Sequence, residues 1–200
     1  MVKPGSLGKY KPSKPTTGMY WTLVLVLTAF GLGGGYLAGI QPAGQWRYFS
    51  WHPFLMTLGM VGFAGVATVT KKMGGYVNTK SHAVLAWGSV ILSLCGLYCI
   101  YKNKENNGYS HLKTAHSRFG LAVFVSCVGL GLVGSIVLHP DFGIDKANQT
   151  IRFWHKWGAR CVLTMAWITS VLGLMQLTND SYVLLSFGIP LLVLFPFVLM

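Results

Sequence analysis

Residues 48 to 70 read YFSWHPFLMTLGMVGFAGVATVT. No side chain in this stretch carries a fixed charge, and it is long enough to cross a hydrocarbon core of about 30 Å as an α-helix. A bilayer offers the backbone no water, so a helix, which satisfies its own polar groups, is the default spanning structure. A spanning β-strand would be about half as long and would alternate in polarity. One residue does not belong in a lipid-facing run: His52, followed directly by Pro53, which suits the first turn of a helix. An ionisable group inside a span is costly and marks function by default.

Working outward, five more apolar runs follow the same pattern, at 18–40, 81–101, 114–138, 153–177 and 182–200. The expected fold is therefore all-α and integral to the membrane. It has six transmembrane helices, with helices two to five forming a four-helix core flanked by the first and sixth. The connections 41–47, 71–80, 102–113, 139–152 and 178–181 are short, which makes sequential helices antiparallel neighbours. Residues 1–17 form a flexible basic tail with Lys3, Lys9, Lys11 and Lys14, and 18–200 form one domain. The first run is too long for the apolar region of a cleavable signal.

Composition agrees. The 200 residues are 52% hydrophobic and only 10% charged, against about a quarter charged in soluble domains. The net charge of +12, from 16 basic and 4 acidic residues, lies in the segments between apolar runs. That is a pattern of topology signals and lipid head-group contacts rather than of nucleic-acid binding. The tail, Lys71, Lys72, Lys80, Lys146, Arg152 and Lys156 fall on one side. Arg47, Lys102, Lys104, Lys113 and Arg118 fall on the other. The bias puts both termini in the cytoplasm. Cys95, Cys99, Cys127 and Cys161 lie within apolar runs and read as packing residues. The glycosylation sequons at Asn148 and Asn179 read as chance occurrences.

Four histidines, His52, His82, His116 and His155, each lie near the start of a different helix, the second to the fifth. Alternating direction puts His52 and His116 on one membrane side and His82 and His155 on the other. Two neutral imidazoles on facing helices at one depth suit bis-histidine haem ligation. Ala86, Gly120 and Ala159, one turn after three of these histidines, share their faces and leave room for a flat macrocycle. Met56 breaks the pattern after His52. Arg118 and Arg160 suit either haem propionates or snorkelling to the interface. His111 and His139 fall in loops. Zinc or copper binding and proton relay are the competing uses of such histidines, but the expected spans hold no Asp or Glu.

These residues also carry a resemblance. Ser50-Trp51-His52-Pro53 followed by Phe-Leu-Met, then Lys80-Ser81-His82, His111-Leu112, Thr114-Ala115-His116 and Trp154-His155 resemble the cytochrome b561 family. The likeness is closer to its small cytochrome b561 domain-containing branch and covers essentially the whole bundle. It implies two haem b groups, one held by His52 and His116 on the non-cytoplasmic side, the other by His82 and His155 on the cytoplasmic side. It also implies transmembrane electron transfer from cytoplasmic ascorbate to monodehydroascorbate or ferric iron. Lys71, Lys72 and Lys80 line the donor entrance, and His111 and Lys113 stand beside the acceptor side. The sequence departs from the family's best-known members at Val69-Thr70-Lys71-Lys72 and at Lys113 to Arg118. A homodimer, and an endomembrane (ER or vesicle) or plasma-membrane setting, fit equally. A haem-free histidine-lined proton or metal transporter, and a haem-bearing anchor of a larger redox complex, are the alternatives.

Overall fold

The computed structural model describes residues 14–199. Most of the basic tail (residues 1–13, with Lys3, Lys9 and Lys11) and Met200 lie outside the described residues. Among the described residues, six helices are long and apolar enough to cross a membrane: α1 Thr17–Gly39, α2 Tyr48–Met73, α3 Tyr76–Asn106, α4 Ala115–Val137, α5 Gln149–Leu174 and α6 Ser181–Leu199. The chain is a multi-pass membrane protein.

Local chemistry sets the ends. The Thr16 hydroxyl accepts the Met19 N–H at 3.2 Å, the Thr114 hydroxyl that of Ser117 at 3.2 Å, and the Asn148 carbonyl oxygen that of Ile151 at 2.9 Å. These side chains satisfy amides that a helix start leaves open. α2 stops at Gly74 and Gly75, with φ of +69° and +85°, a region that costs glycine little and other residues more.

Two helices begin earlier than their hydropathy suggests, α3 at Tyr76 and α5 at Gln149. In α3 the first turn is polar but self-satisfied: Asn78 and Thr79 donate to the carbonyls of Gly74 and Gly75 at 2.7 and 2.8 Å. As a result His82 and His155 sit about two turns inside their helices rather than at the first turn.

The second helix is the most enclosed. Gly59, Met60, Val61 and Gly62 are buried in its wide π-type turn, Leu58–Phe63. Gly31 of α1 meets this turn so closely that a Cβ there would lie 3.2 Å from the Cα of Gly62, a close approach that small residues permit. The Trp167 indole of α5 donates to the Met60 carbonyl at 3.3 Å and is itself buried, tying α5 to the centre. A second π-type turn, Val133–Val137, ends α4.

The start of α1, the α2–α3 turn, the α4–α5 loop and the end of α6 share one end of the bundle, called proximal below. Lys14 lies beside Gly74, and the Lys72 ammonium donates to the Phe197 carbonyl at 2.8 Å. Across the α4–α5 loop, Lys80 pairs with Asp141 at 3.0 Å and the Tyr76 hydroxyl donates to the same carboxylate. The opposite, distal end carries the α1–α2, α3–α4 and α5–α6 connections.

Candidate functional site

At the distal end, α2 and α4 bring His52 and His116 together. Their ring centroids are 6.2 Å apart and their planes 79° to each other. His52 Nδ1 is 3.0 Å from the Gly96 carbonyl of α3, and His116 Nδ1 is 2.9 Å from the Thr169 carbonyl of α5. A carbonyl only accepts, so Nδ1 carries the proton in each ring and leaves the Nε2 lone pair free. A metal–nitrogen bond is about 2 Å, which places the centroids of two imidazoles on opposite sides of one metal about 6 Å apart. The distal pair meets that spacing. Its donor set is two tethered imidazoles, the set a haem iron takes. Among the described residues there is no group of three or more His, Cys, Asp or Glu placed to hold a bare ion.

Glycine makes the room. A Cβ on Gly173 of α5 would stand 2.6 Å from His116 Cε1 and 2.9 Å from its Nδ1. At Gly120, one turn after His116, an added Cβ would meet only the Thr169 methyl, at 3.6 Å. Met56 lies over Gly96, where a Cβ would meet its sulfur at 3.1 Å. It packs against the helix that tethers His52.

At the proximal end, His82 Nδ1 is 2.9 Å from the Ala67 carbonyl of α2. The His155 ring rests on Gly134 of α4, where a Cβ would meet Cε1 at 3.2 Å. His82 and Lys71 are near enough to His155 to interact with it electrostatically. The Trp87 indole, five residues after His82, donates to the Ser135 hydroxyl at 2.8 Å and covers Gly131, where a Cβ would meet it at 3.3 Å.

The charged residues expected around the sites divide by end. Lys71 donates to Thr79 Oγ1 at 2.7 Å. Lys80 is already paired with Asp141, and its ammonium lies 5.1 Å from the Tyr76 ring centroid. The Tyr76 hydroxyl and Lys80 hold the Asp141 carboxyl below the usual carboxylate range. At the distal end His111 Nε2 meets Glu105 at 2.7 Å and its ring stacks on Tyr101, while Lys113 is exposed. Arg118 donates to the Leu112 carbonyl at 3.0 Å and Arg160 lies over the Trp157 ring. In the α4–α5 loop His139 stacks on Phe142.

Residues that sequence reasoning missed are Trp87, Gly131, Gly134, Ser135 and Gly173, together with the tethering carbonyls of Ala67, Gly96 and Thr169. A carbonyl leaves no signal in a sequence. The glycines leave a weak one, since each costs a helix interior about 1 kcal/mol relative to alanine.

A multi-pass helical bundle with a tethered, facing imidazole pair near one end and two further histidines near the other defines a class: membrane proteins built to hold haem between helices. The family model described as eukaryotic cytochrome b561 matches residues 51–179. The chain belongs to that family. It is 25% identical over 157 residues to "Transmembrane ascorbate ferrireductase 2" of Arabidopsis thaliana, covering 77% of this chain and 67% of the relative. It is 25% identical over 161 residues to "Transmembrane ascorbate-dependent reductase CYB561" of Ovis aries, covering 76% and 64%. It is 32% identical over 101 residues to "Transmembrane reductase CYB561D2" of Mus musculus, covering 46% and 45%. The match thus spans from under half to about two thirds of the length of these relatives.

Proposed function

We propose that this chain carries electrons across a membrane through two haem b groups. The donor is cytoplasmic ascorbate, and the acceptor is monodehydroascorbate or ferric iron on the other side. The observation that carries this reading is the His52–His116 pair, two Nδ1-tethered imidazoles with ring centroids 6.2 Å apart. His52 and His116 would hold the distal haem, and His82 and His155 the proximal one. Haem, when bound, supplies a one-electron couple at each end.

The chain's own residues do the rest. The carbonyls of Gly96, Thr169 and Ala67 fix the orientation of three imidazoles and raise their basicity as ligands. Gly173 and Gly134 keep space beside two of the rings, and the buried Trp167 and Met60 fill the bundle between the ends. The proximal end, which carries Lys71, Lys72 and Lys80, is assigned to the cytoplasm on the lysine and arginine bias. Its positive field favours the approach of an anionic donor such as ascorbate. Family membership and the relatives' printed names, ascorbate-dependent reductase and ferrireductase, support the choice of donor and acceptor.

The test is haem content and redox response. A pyridine haemochrome assay on the purified protein is expected to return two haems per chain. Ascorbate is expected to reduce both, with reoxidation by a ferric chelate. Zero or one haem per chain rules out the four-ligand assignment. Two haems that ascorbate leaves oxidised would keep the carrier and remove the donor.

A further inference from the structure

The four histidines obey a repeat that the chain completes three times out of four. In the α2–α3 pair, His52 is tethered to Gly96, which stands 14 positions beyond His82. His82 is tethered to Ala67, which stands 15 positions beyond His52. In the α4–α5 pair, His116 is tethered to Thr169, again 14 positions beyond His155. The fourth tether would join His155 to the carbonyl of Gly131, 15 positions beyond His116. That bond is not made: His155 Nδ1 is buried and has no hydrogen-bond partner among the described residues.

Two features of the structure lie beside the break. The Trp87 indole covers the face of Gly131 and is fastened to Ser135. Directly beyond, α4 widens into the π-type turn Val133–Val137. Such turns re-aim backbone groups and are common where a helix serves a site. The ring of His155 rests on Gly134, within that turn. The clearance there is also looser than at the distal end: an added Cβ would lie 3.2 Å from the nearest ring atom of His155, against 2.6 Å for His116 on Gly173.

We infer that His155 is the unlocked ligand of this protein. The distal haem is held by two imidazoles whose Nδ1–H groups are tied to carbonyls, the proximal haem by one tied imidazole and one free to turn. This rests on the ligand assignment proposed above. A tied Nδ1–H pushes electron density toward the metal-binding nitrogen, so His155 is the weakest donor of the four and the one most readily replaced by another nitrogen base. The two haem sites are unequal by construction, with the adjustable one at the proximal end.

The test uses the dithionite-reduced, histidine-¹⁵N-labelled holoprotein, in which low-spin ferrous haem is diamagnetic. NMR should show four axial imidazoles, recognised by haem ring-current shifts. Three Nδ1–H protons should exchange slowly with deuterium, and the fourth, assigned to His155, at least tenfold faster. A second arm uses His82→Gly and His155→Gly, each supplied with imidazole or with 1-methylimidazole, which can ligate iron but has no N–H to donate. In His155→Gly the two bases should bind the proximal haem within twofold of each other. In His82→Gly, 1-methylimidazole should bind several-fold more weakly, for want of a bond to Ala67.

A His155 proton as protected as the other three, through protein or through a fixed water, overturns the inference, as does a several-fold preference for imidazole in His155→Gly. If a variant takes up no base, the exchange measurement on the unsubstituted protein decides alone. If fewer than four axial imidazoles are found, or His155 is not among them, it is the ligand assignment that fails.

Discussion

Gly173→Ala is the sharpest single perturbation of the distal site. The added methyl would stand 2.6, 2.9 and 3.3 Å from Cε1, Nδ1 and Nε2 of His116, well inside van der Waals contact, and the obstacle is a ring rather than a flexible chain end. The ring cannot yield freely. Its Nδ1 is bound to the Thr169 carbonyl at 2.9 Å, and its other side faces His52 across 6.2 Å. Turning it away breaks one hydrogen bond, about 0.5–1.5 kcal/mol. It also forces an off-rotamer side chain at a similar cost, so the site loses about 1–3 kcal/mol. Loss of a ligand's orienting partner typically weakens metal binding about 10–100-fold. The purified variant is therefore expected to retain the proximal haem and to lose most of the distal one. The haem-to-protein ratio should fall from two toward one, and one of the two low-spin electron paramagnetic resonance signals should disappear. Gly134→Ala is the control, because its methyl meets only the looser edge of His155 at 3.2 Å. It should keep both haems and shift only the proximal signal. Two full haems with unchanged spectra in Gly173→Ala would refute the packing of His116 on Gly173 and the distal geometry with it.

Lys80→Ala is expected to slow reduction by ascorbate at low ionic strength by about twofold, and Asp141→Asn to speed it by a similar factor, through their effect on the steering field. The double variant should return close to the parent rate in stopped flow, and all differences should shrink near 1 M salt, where the screening length is about 3 Å. A double variant as slow as Lys80→Ala alone would show that Lys80 contacts the donor directly. The Asp141 carboxyl is depressed by Tyr76 and Lys80, so its hold on the α4–α5 loop is fully present above the unfolded value of about 3.9 and is lost as pH falls through the lower folded value. Cleavage of that loop by an acid-active protease should rise only below about pH 4, and a rise already at pH 6 would place the latch elsewhere. Tags at both termini should resist external protease in sealed right-side-out vesicles, and cleavage of either would invert the two ends relative to the cytoplasm.

Most of the architecture was legible because one solvent dictates it. An uncharged run such as 48–70 has a single low-energy form in hydrocarbon, so six spans and their alternation follow from hydropathy alone. Alternation then sorts His52 with His116 and His82 with His155, and the structure brings the first two rings together and the other two within interaction range. Hydropathy erred where polar residues cap rather than break helices. Asn78 and Thr79 look like loop residues, yet they fold back on Gly74 and Gly75 and extend α3. Charge counting grouped Lys80 with the lysines expected at the donor entrance but did not show its partner. Asp141 comes from a loop 61 positions away, and that pairing is a tertiary fact.

What stayed hidden is the repeat itself, and the reason is geometric. Spacing along the sequence compares His52 to His82 with His116 to His155, and the two intervals differ because a two-glycine turn joins α2 to α3 while a longer loop joins α4 to α5. Measured from His82 to the Gly96 carbonyl that tethers His52, and from His155 to the Thr169 carbonyl that tethers His116, the interval is the same, 14 positions, because it is fixed by depth along packed helices and not by loop length. Each tether also crosses to a helix other than the one bearing the facing ligand: His52 and His82 tie α2 and α3 to each other, and His116 ties α4 to α5. The proposed ligand pairs would then join α2 to α4 and α3 to α5. Tethers and proposed ligands together would close a ring through α2, α3, α4 and α5, and the one open link in it is the contact of His155 with α4. A rearrangement at the proximal site can therefore proceed by moving one imidazole against Gly134, whereas any rearrangement at the distal site must break a hydrogen bond between helices first.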